Sequence, residues 1–307
     1  MTRKALAMLA AMSLAAAWSS AQDKITLKQK YTPGKYEVKQ VVTSQMETAT
    51  AGQQVSQDME MTMVLGLNVA KPDEKGTIKV EMTFDKIKQK VSSGGKAVLE
   101  YDSEAAAQTG PLASVYKSLL SAKISFEVTV DGKIQKAKGL EEIWDSMAKD
   151  NPAMAPMADT MKKQFGNAML ENLMTQAAKS FPEKSVAVGD TWKVDTKMNV
   201  PIIGELNVSQ DCKLKAIEGK LAVLDITSKA KTEKAVDTKL GPMTVTIDKM
   251  ETTQTGTMKV DTESGMAVQQ NWDGTMDMSM SMQGPDGEKM QTTSKQKMKI
   301  EVTMTKK

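Results

Sequence analysis

Residues 274–283 read Gly-Thr-Met-Asp-Met-Ser-Met-Ser-Met-Gln, with a methionine at every second position, and residues 59–63 repeat the pattern as Met-Glu-Met-Thr-Met. Successive side chains of a β-strand point to opposite faces of the sheet, so each run places its methionines on one face and its polar residues on the other. The sequence therefore predicts β-sheet with one flexible, apolar face. The methionines of the two runs are Met59, Met61, Met63, Met276, Met278, Met280 and Met282.

The alternation of apolar and polar residues continues elsewhere in the chain. Residues 78–84 read Ile-Lys-Val-Glu-Met-Thr-Phe, and residues 124–130 alternate in the same way. One apolar and one polar face is typical of antiparallel sheet, and the Gly-, Pro- and Asp-rich segments between the runs have lengths that suit hairpins. Helical spacing occurs at residues 112–120, 139–149 and 154–179, where the last segment carries an apolar stripe that we expect to lie on the dry face of the sheet.

Two parts of the chain, residues 22–138 and residues 181–307, have the same order of features. Each opens with a glycine shortly before an aromatic residue, continues into alternating strands and presents a strand that ends in an acidic turn. We interpret this as a tandem duplication. The predicted fold is mainly β, of the α+β class, with two related antiparallel, curved β-sheet halves joined by a helical connector at residues 139–180. The residues expected to serve these turns and packing motifs are Asp131, Gly132, Gly189, Asp190, Trp192, Asp261 and Gly265.

The first 21 residues have the composition of a secretory signal peptide. Arg3 and Lys4 precede an apolar run at residues 5–18, and small residues follow it. The run is too short to span a bilayer, so we expect cleavage before Gln22, export to the periplasm or beyond the cell, and no transmembrane segment in the mature chain. The 41 Lys and Arg residues then fall to 39 against 38 Asp and Glu. Such a balanced chain is not expected to bind nucleic acid.

The absence of one residue type excludes several mechanisms. The chain has no histidine and one cysteine, Cys212. This composition removes the Ser-His-Asp and Cys-His nucleophiles and the usual zinc sites. Catalysis by paired carboxylates or by a Ser-Lys pair stays formally open, and we rank it below binding and structural functions. We expect a protein that is not an enzyme, with no catalytic residues, no cofactor and no metal ligands to assign. Cys212 shares strand parity with Leu206, Val208 and Leu214, which predicts a buried thiol that fills space.

Three functions remain open. A concave, methionine-lined face beneath the helical segment is suited to a lipid or another apolar small molecule, because thioether side chains pack adaptably. The same face packed without a cavity would instead belong to a structural protein of the cell envelope. Thioethers in an exported chain are also ligands that Cu(I) prefers, which makes a periplasmic Cu(I)-binding protein the third alternative. The sequence does not determine the oligomeric state.

Several short motifs together resemble a known family. They are Phe181-Pro182 followed by Val188-Gly189-Asp190-Thr191-Trp192, Tyr101-Asp102-Ser103, the run Phe126 to Lys133, and Gly139-Leu140-Glu141-Glu142. These resemble an exported bacterial family of unknown function, the domain of unknown function 6263 family, over nearly the whole mature chain. The resemblance implies an exported β-rich protein and transfers no catalytic residue. A looser, fold-level similarity is to periplasmic lipoprotein carriers with half-barrel sheets and helical lids.

Overall fold

The computed structural model describes residues 24–105, 113–129, 134–150, 162, 166, 180–200, 203–240, 243–284 and 287–307. The elements are β1 Gly34–Thr50, β2 Gln53–Val69, β3 Thr77–Ser93, β4 Lys96–Asp102, α1 Ala113–Ser121, β5 Lys123–Thr129, β6 Ile134–Lys138, α2 Leu140–Asp150, β7 Thr191–Val200, β8 Gly204–Glu218, β9 Leu221–Thr232, β10 Val236–Leu240, β11 Met243–Asp261, β12 Ala267–Gln283 and β13 Lys289–Lys306. The mainly β prediction is confirmed. Helices α1 and α2 occupy two of the three segments with helical spacing, and the stripe at residues 154–179 lies outside the described ranges, as do Asp131 and Gly132.

All the described strands belong to one open, curved sheet. Its order is β6-β5-β3-β2-β1-β13-β12-β11-β9-β8-β7, with β4 added to β3 and β10 added to β11. Every neighbouring pair is antiparallel. Nine of the twelve pairs in the described residues join strands that are consecutive in the chain; the exceptions are β1–β13, β3–β5 and β9–β11.

The pair β1 and β13 joins the first part of the sheet to the second. Tyr36 lies opposite Lys306 at one end of this pair, and Thr50 lies opposite Thr292 at the other. The strands that flank the helical connector, β6 and β7, are the two ends of the sheet order. The two predicted halves therefore meet along their terminal strands, and the connector links opposite edges of the sheet.

The strand register assigns each side chain to a face, since directly opposite residues of an antiparallel pair lie on the same side. Val42 lies opposite both Met61 and Ile300, and Ile300 lies opposite Trp272, so one side of the central strands is apolar. Thr43 lies opposite Glu60 and Lys299 on the other side, which is polar. The alternation in the sequence is thus maintained across strand boundaries.

Short segments cover the apolar face near both edges. Helix α1 packs there through Tyr116 against Ile87, and α2 packs through Ile143 against Ile124. Toward the other edge, an N-terminal segment and residues 180–188 cover β8, β9 and β11. Their contacts form one core cluster of Leu27, Val186, Cys212, Leu214, Ala222, Leu224, Ile226 and Val260. Each fully buried leucine in such a cluster stabilises the fold by about 1.5–3 kcal/mol relative to an exposed one.

The helices in the described ranges are not long and apolar enough to cross a membrane.

Candidate functional site

The methionine face is the apolar side of the four central strands β2, β1, β13 and β12. The predicted methionines of both runs lie on this one face. All are half-buried, whereas alternate residues such as Glu60, Thr275 and Asp277 are exposed. The methionines of this face in the four strands are Met46, Met59, Met61, Met63, Met276, Met278, Met280, Met282, Met290, Met298 and Met304.

The methionines differ in what they contact. Met63 packs against the cluster formed by Ile87, Tyr101 and the α1 residue Tyr116, so it belongs to the covered core there. Met276, Met278 and Met280 pack sideways against Leu206, Ile247 and Met250, which are residues of neighbouring strands in the same sheet. Within the described ranges, no helix contributes to that second cluster.

Glutamine amides contact two of the thioethers. Gln89 donates from Nε2 to Met59 Sδ at 3.5 Å and accepts a hydrogen bond from the Tyr116 hydroxyl of α1. Gln254 similarly donates to Met298 Sδ at 3.8 Å. The methionine face is therefore linked to α1 at one side and to β11 at the other.

A group of small hydroxyl side chains interrupts the methionine face at the end near the β1–β2 turn. We call Thr48, Thr50, Thr292 and Ser294 the hydroxyl patch. Thr50 and Thr292 share a hydrogen bond of 3.0 Å between their Oγ1 atoms. Ser294 is only 4% exposed, and its Oγ has no hydrogen-bond partner within the described part of the chain.

Sequence reasoning missed the hydroxyl patch. The available signal was on β13, where every second residue faces the same side. On that side the residues are apolar at Met298 and Ile300 but polar at Thr292, Ser294 and Gln296. Only the pairing of β13 with β1 and β12 shows that this short polar stretch lies beside Met278 and Met280.

The predicted motif residues at the start of β7 hold the local backbone. The Asp190 carboxylate accepts a hydrogen bond from the Ala187 amide at 2.9 Å, and Gly189 has a φ of 96°, which favours glycine. The Trp192 indole N–H donates to the Ser180 carbonyl at 3.1 Å while its ring packs on the core cluster near Leu27. Gly189, Asp190 and Trp192 therefore hold the turn before β7 in place, which is a structural role.

The acidic turn after β11 is also structural. Backbone amides of Ser264 and Glu263 donate to the Asp261 carboxylate at 2.7 and 3.1 Å. These bonds, the Ser264 amide first, hold the pKa of Asp261 below its usual value. Gly265 has a φ of 65°, and a Cβ there would meet the Lys28 carbonyl. In the described residues, no group of three or more His, Cys, Asp or Glu side chains is placed to hold a metal ion.

Cys212 is buried, with 2% of its surface exposed, as the strand parity predicted. Burial, helped by the negative charge of Asp211, raises the pKa of the Cys212 thiol to about 11. At neutral pH the sulfur is a protonated thiol packed against Leu214 and Leu224, so it is not available as a nucleophile.

Two recesses over β7, β8, β9 and β11 lie on the polar face. One of about 770 Å³ runs past Lys193, Asp211, Thr227 and Thr255, and another of about 770 Å³ runs past Asp195, Ser209 and Lys229. A further recess of about 920 Å³ lies between the edge strand β7 and the segments that carry Leu27 and Phe181. The hollow that we expect beneath the stripe at residues 154–179 lies outside the described ranges and stays a prediction.

Comparison with solved structures gives distant likenesses. A structure of lipovitellin concerned with lipid–protein interactions matches 88% of this chain at 9% identity with a TM-score of 0.46, and the chain spans 25% of the length of that protein. The Pseudomonas aeruginosa protein OccK5 (OpdH) matches 90% of this chain at 5% identity and a TM-score of 0.25. Both TM-scores are below 0.5 and carry no functional argument. No curated protein sequence matches the chain.

A sequence family matches a large central part of the chain, in agreement with the motifs around Tyr101, Phe126 and Trp192. Residues 75–267 match the family of unknown function DUF6263. That range covers more than half of the chain and includes strands of both parts of the sheet. The chain therefore belongs to the DUF6263 family.

Proposed function

We propose that this protein is an exported, non-enzymatic binding protein that holds a lipid or a similar apolar molecule on its methionine face. The observation that carries the proposal is the run Met276–Met282, which lies at the centre of the sheet and is half-buried without a covering helix in the described ranges. Contiguous, partly exposed apolar surface of this kind marks interaction sites in soluble proteins.

The chemistry of methionine supports a ligand of irregular shape. Its side chain has three rotatable bonds and a polarisable sulfur, so a row of methionines adapts to a flexible chain better than branched residues do. Aromatic residues make up only 4% of the chain, so few rigid rings restrict the face. An acyl chain has the same flexibility and the same lack of polar groups, and it would contact this surface along its length.

The residue inventory favours binding over catalysis. The chain lacks histidine, and burial keeps its single cysteine protonated. We place the function outside the cytoplasm because residues 1–21 have the features of a signal peptide.

The test is the affinity for an oxygen-free fluorescent probe, diphenylhexatriene, combined with native mass spectrometry of protein purified from its own host for co-purified lipid. Wild type should bind the probe. Met278→Gln should weaken binding at least about tenfold, because the probe must then desolvate a buried amide, and the matched Met278→Leu should retain the affinity.

The alternative is a structural protein of the cell envelope with no ligand. Wild-type protein that carries no lipid and does not bind the probe, while unfolding cooperatively, would favour this alternative. Equal probe affinities in Met278→Gln and Met278→Leu would place the bound probe away from the methionine face and refute the proposed site.

A further inference from the structure

The Ser294 hydroxyl is a buried polar group without a partner. It belongs to the hydroxyl patch on β13, opposite Thr48 on β1 and opposite Met278 on β12. Its neighbours Thr50 and Thr292 share a hydrogen bond of 3.0 Å, but Ser294 Oγ has none in the described residues. Buried hydroxyls in native proteins are nearly always paired, because an unpaired one loses its interactions with water and gains none in exchange.

The position of this hydroxyl relates it to the ligand face. Because opposite residues share a face, Ser294 Oγ is on the same side of the sheet as Met276, Met278 and Met280. The Oγ atom is buried, so a molecule lying on these methionines would reach it with an oxygen at its end once a flexible neighbour such as Met278 moves aside. Such an oxygen would supply the missing partner.

The charge of the surroundings narrows the ligand class. On this face, the described positions of β13 from Thr292 to Met298 are Thr, Ser, Gln and Met, and those of β1 from Met46 to Thr50 are Met and Thr. The facing positions of β12 are Met280, Met278, Met276 and Gly274. These described positions offer no cation to neutralise a phosphate or carboxylate, so an ion placed there would be strongly disfavoured.

The length of the stretch beside Met278, Met276 and Gly274 agrees with one acyl chain. Ser294 and Met298 are four residues apart on β13, which is about 14 Å along the strand at roughly 3.4 Å per residue. One leaflet of a bilayer holds acyl chains in about 15 Å of hydrocarbon, half of the roughly 30 Å core. A single acyl chain is therefore long enough to reach from the hydroxyl patch to Met59 and Met298.

We propose that the ligand is a neutral single-chain amphiphile, with the chemistry of a monoacylglycerol, whose ester or hydroxyl oxygen hydrogen-bonds to Ser294 Oγ. The alkyl chain lies along Met276, Gly274 and Met298, and the hydroxyl patch holds the head group. This inference rests on the proposed function and adds the polarity, the orientation and the charge of the ligand.

The test compares monoolein, oleate at pH 8 and diphenylhexatriene on full-length protein. Wild type should bind monoolein at least tenfold more tightly than the charged oleate. Ser294→Ala should weaken monoolein binding about tenfold and leave the oxygen-free probe unaffected, since only the hydrogen bond is lost. The matched control Ser279→Ala, on the polar face of β12 opposite Thr293, should change neither affinity.

A second measurement uses the ligand-free protein. Removing an unpaired buried hydroxyl should raise the Tm of Ser294→Ala by about 2 °C or more. A lower Tm would mean that Ser294 is satisfied without ligand and would overturn the inference, as would unchanged monoolein affinity in Ser294→Ala or equal binding of oleate. If the probe still binds, unchanged monoolein affinity in Ser294→Ala or equal binding of oleate leaves the methionine face as a binding site. A wild type that binds no probe refutes the proposed function itself.

Discussion

Gly256 of β11 lies directly under a tryptophan ring, which makes it a sensitive position in the sheet. A Cβ built at Gly256 would be 2.7 Å from Trp272 Cε3 and 2.9 Å from Cδ2, and it would also collide with the Asn271 carbonyl oxygen. Gly256 lies opposite Trp272 of β12 and Ile226 of β9, so large side chains from both neighbouring strands flank it on the same face. Trp272 cannot move away without losing its contact with the core cluster that contains Leu224.

The effect of Gly256→Ala follows from two opposing contributions. Replacing a strand glycine stabilises by about 0.5–1 kcal/mol through backbone entropy. Overpacking a rigid site costs about 1–3 kcal/mol, and here the neighbours are an indole ring and a backbone carbonyl. We expect a net loss of about 1–2 kcal/mol in the free energy of unfolding, which corresponds to a decrease in Tm of about 2–6 °C.

The assay is urea and thermal unfolding followed by circular dichroism. Gly274→Ala on β12 is the matched control, because its Cβ would meet the flexible side chains of Gln254 at 2.9 Å and Met298 at 3.3 Å. These chains can move, so its stability should stay within about 0.5 kcal/mol of wild type. A Gly256→Ala protein as stable as wild type would show that Trp272 does not lie across this glycine.

Four further outcomes follow from the structure. Leu214→Ala should cost about 2–5 kcal/mol in urea unfolding, since Leu214 is 0% exposed, and a loss below 1 kcal/mol would contradict the packing there. Cys212 should resist iodoacetamide at pH 8 in the native protein and react in urea, because its pKa is raised to about 11; rapid native labelling, read by mass spectrometry, would mean an open thiol. The folded pKa of Asp261 is lowered, so its carboxylate stabilises the fold above the pKa of the unfolded chain and this contribution is lost as the pH falls through the folded value. Wild type should therefore have a higher Tm than Asp261→Asn at pH 7, and this difference should disappear in acid. A difference in Tm that does not change with pH would refute the role of the turn. Met278→Asp combined with Met280→Asp should destabilise the sheet by roughly 2 kcal/mol per residue, as charges enter a half-buried apolar face; unchanged thermal stability would contradict the assignment of that face.

The period of two in the methionine runs was sufficient to predict strands and the sharing of one face. The methionines of residues 276–282 lie in β12 and those of residues 59–63 in β2. Glu60 and Asp277 between them are exposed, whereas Ser281 is buried. Local alternation determines this result, because strand geometry alone assigns side chains to faces. Burial of Cys212 followed from the same parity argument.

The pairing of strands was not predictable from alternation. Any two amphipathic strands can be neighbours, so nothing local in β1 indicates that its partner is β13. The hydroxyl patch depends on that pairing, since Thr50 and Thr292 are far apart in sequence and meet only across it. The packing of the Leu27 and Val186 segments on the apolar side of β8, β9 and β11 is likewise a long-range effect.

The pairing of β1 with β13 has a consequence for biogenesis. A chain made from its N-terminus has β1 early and the 18 residues of β13 last. Until β13 arrives, β1 and β12 each present an unsatisfied row of backbone donors and acceptors in the middle of the future sheet, and such rows recruit strands from other molecules. Contacts between distant residues also form slowly. A chain interrupted before Lys289 would thus expose these two rows, and we expect it to be aggregation-prone.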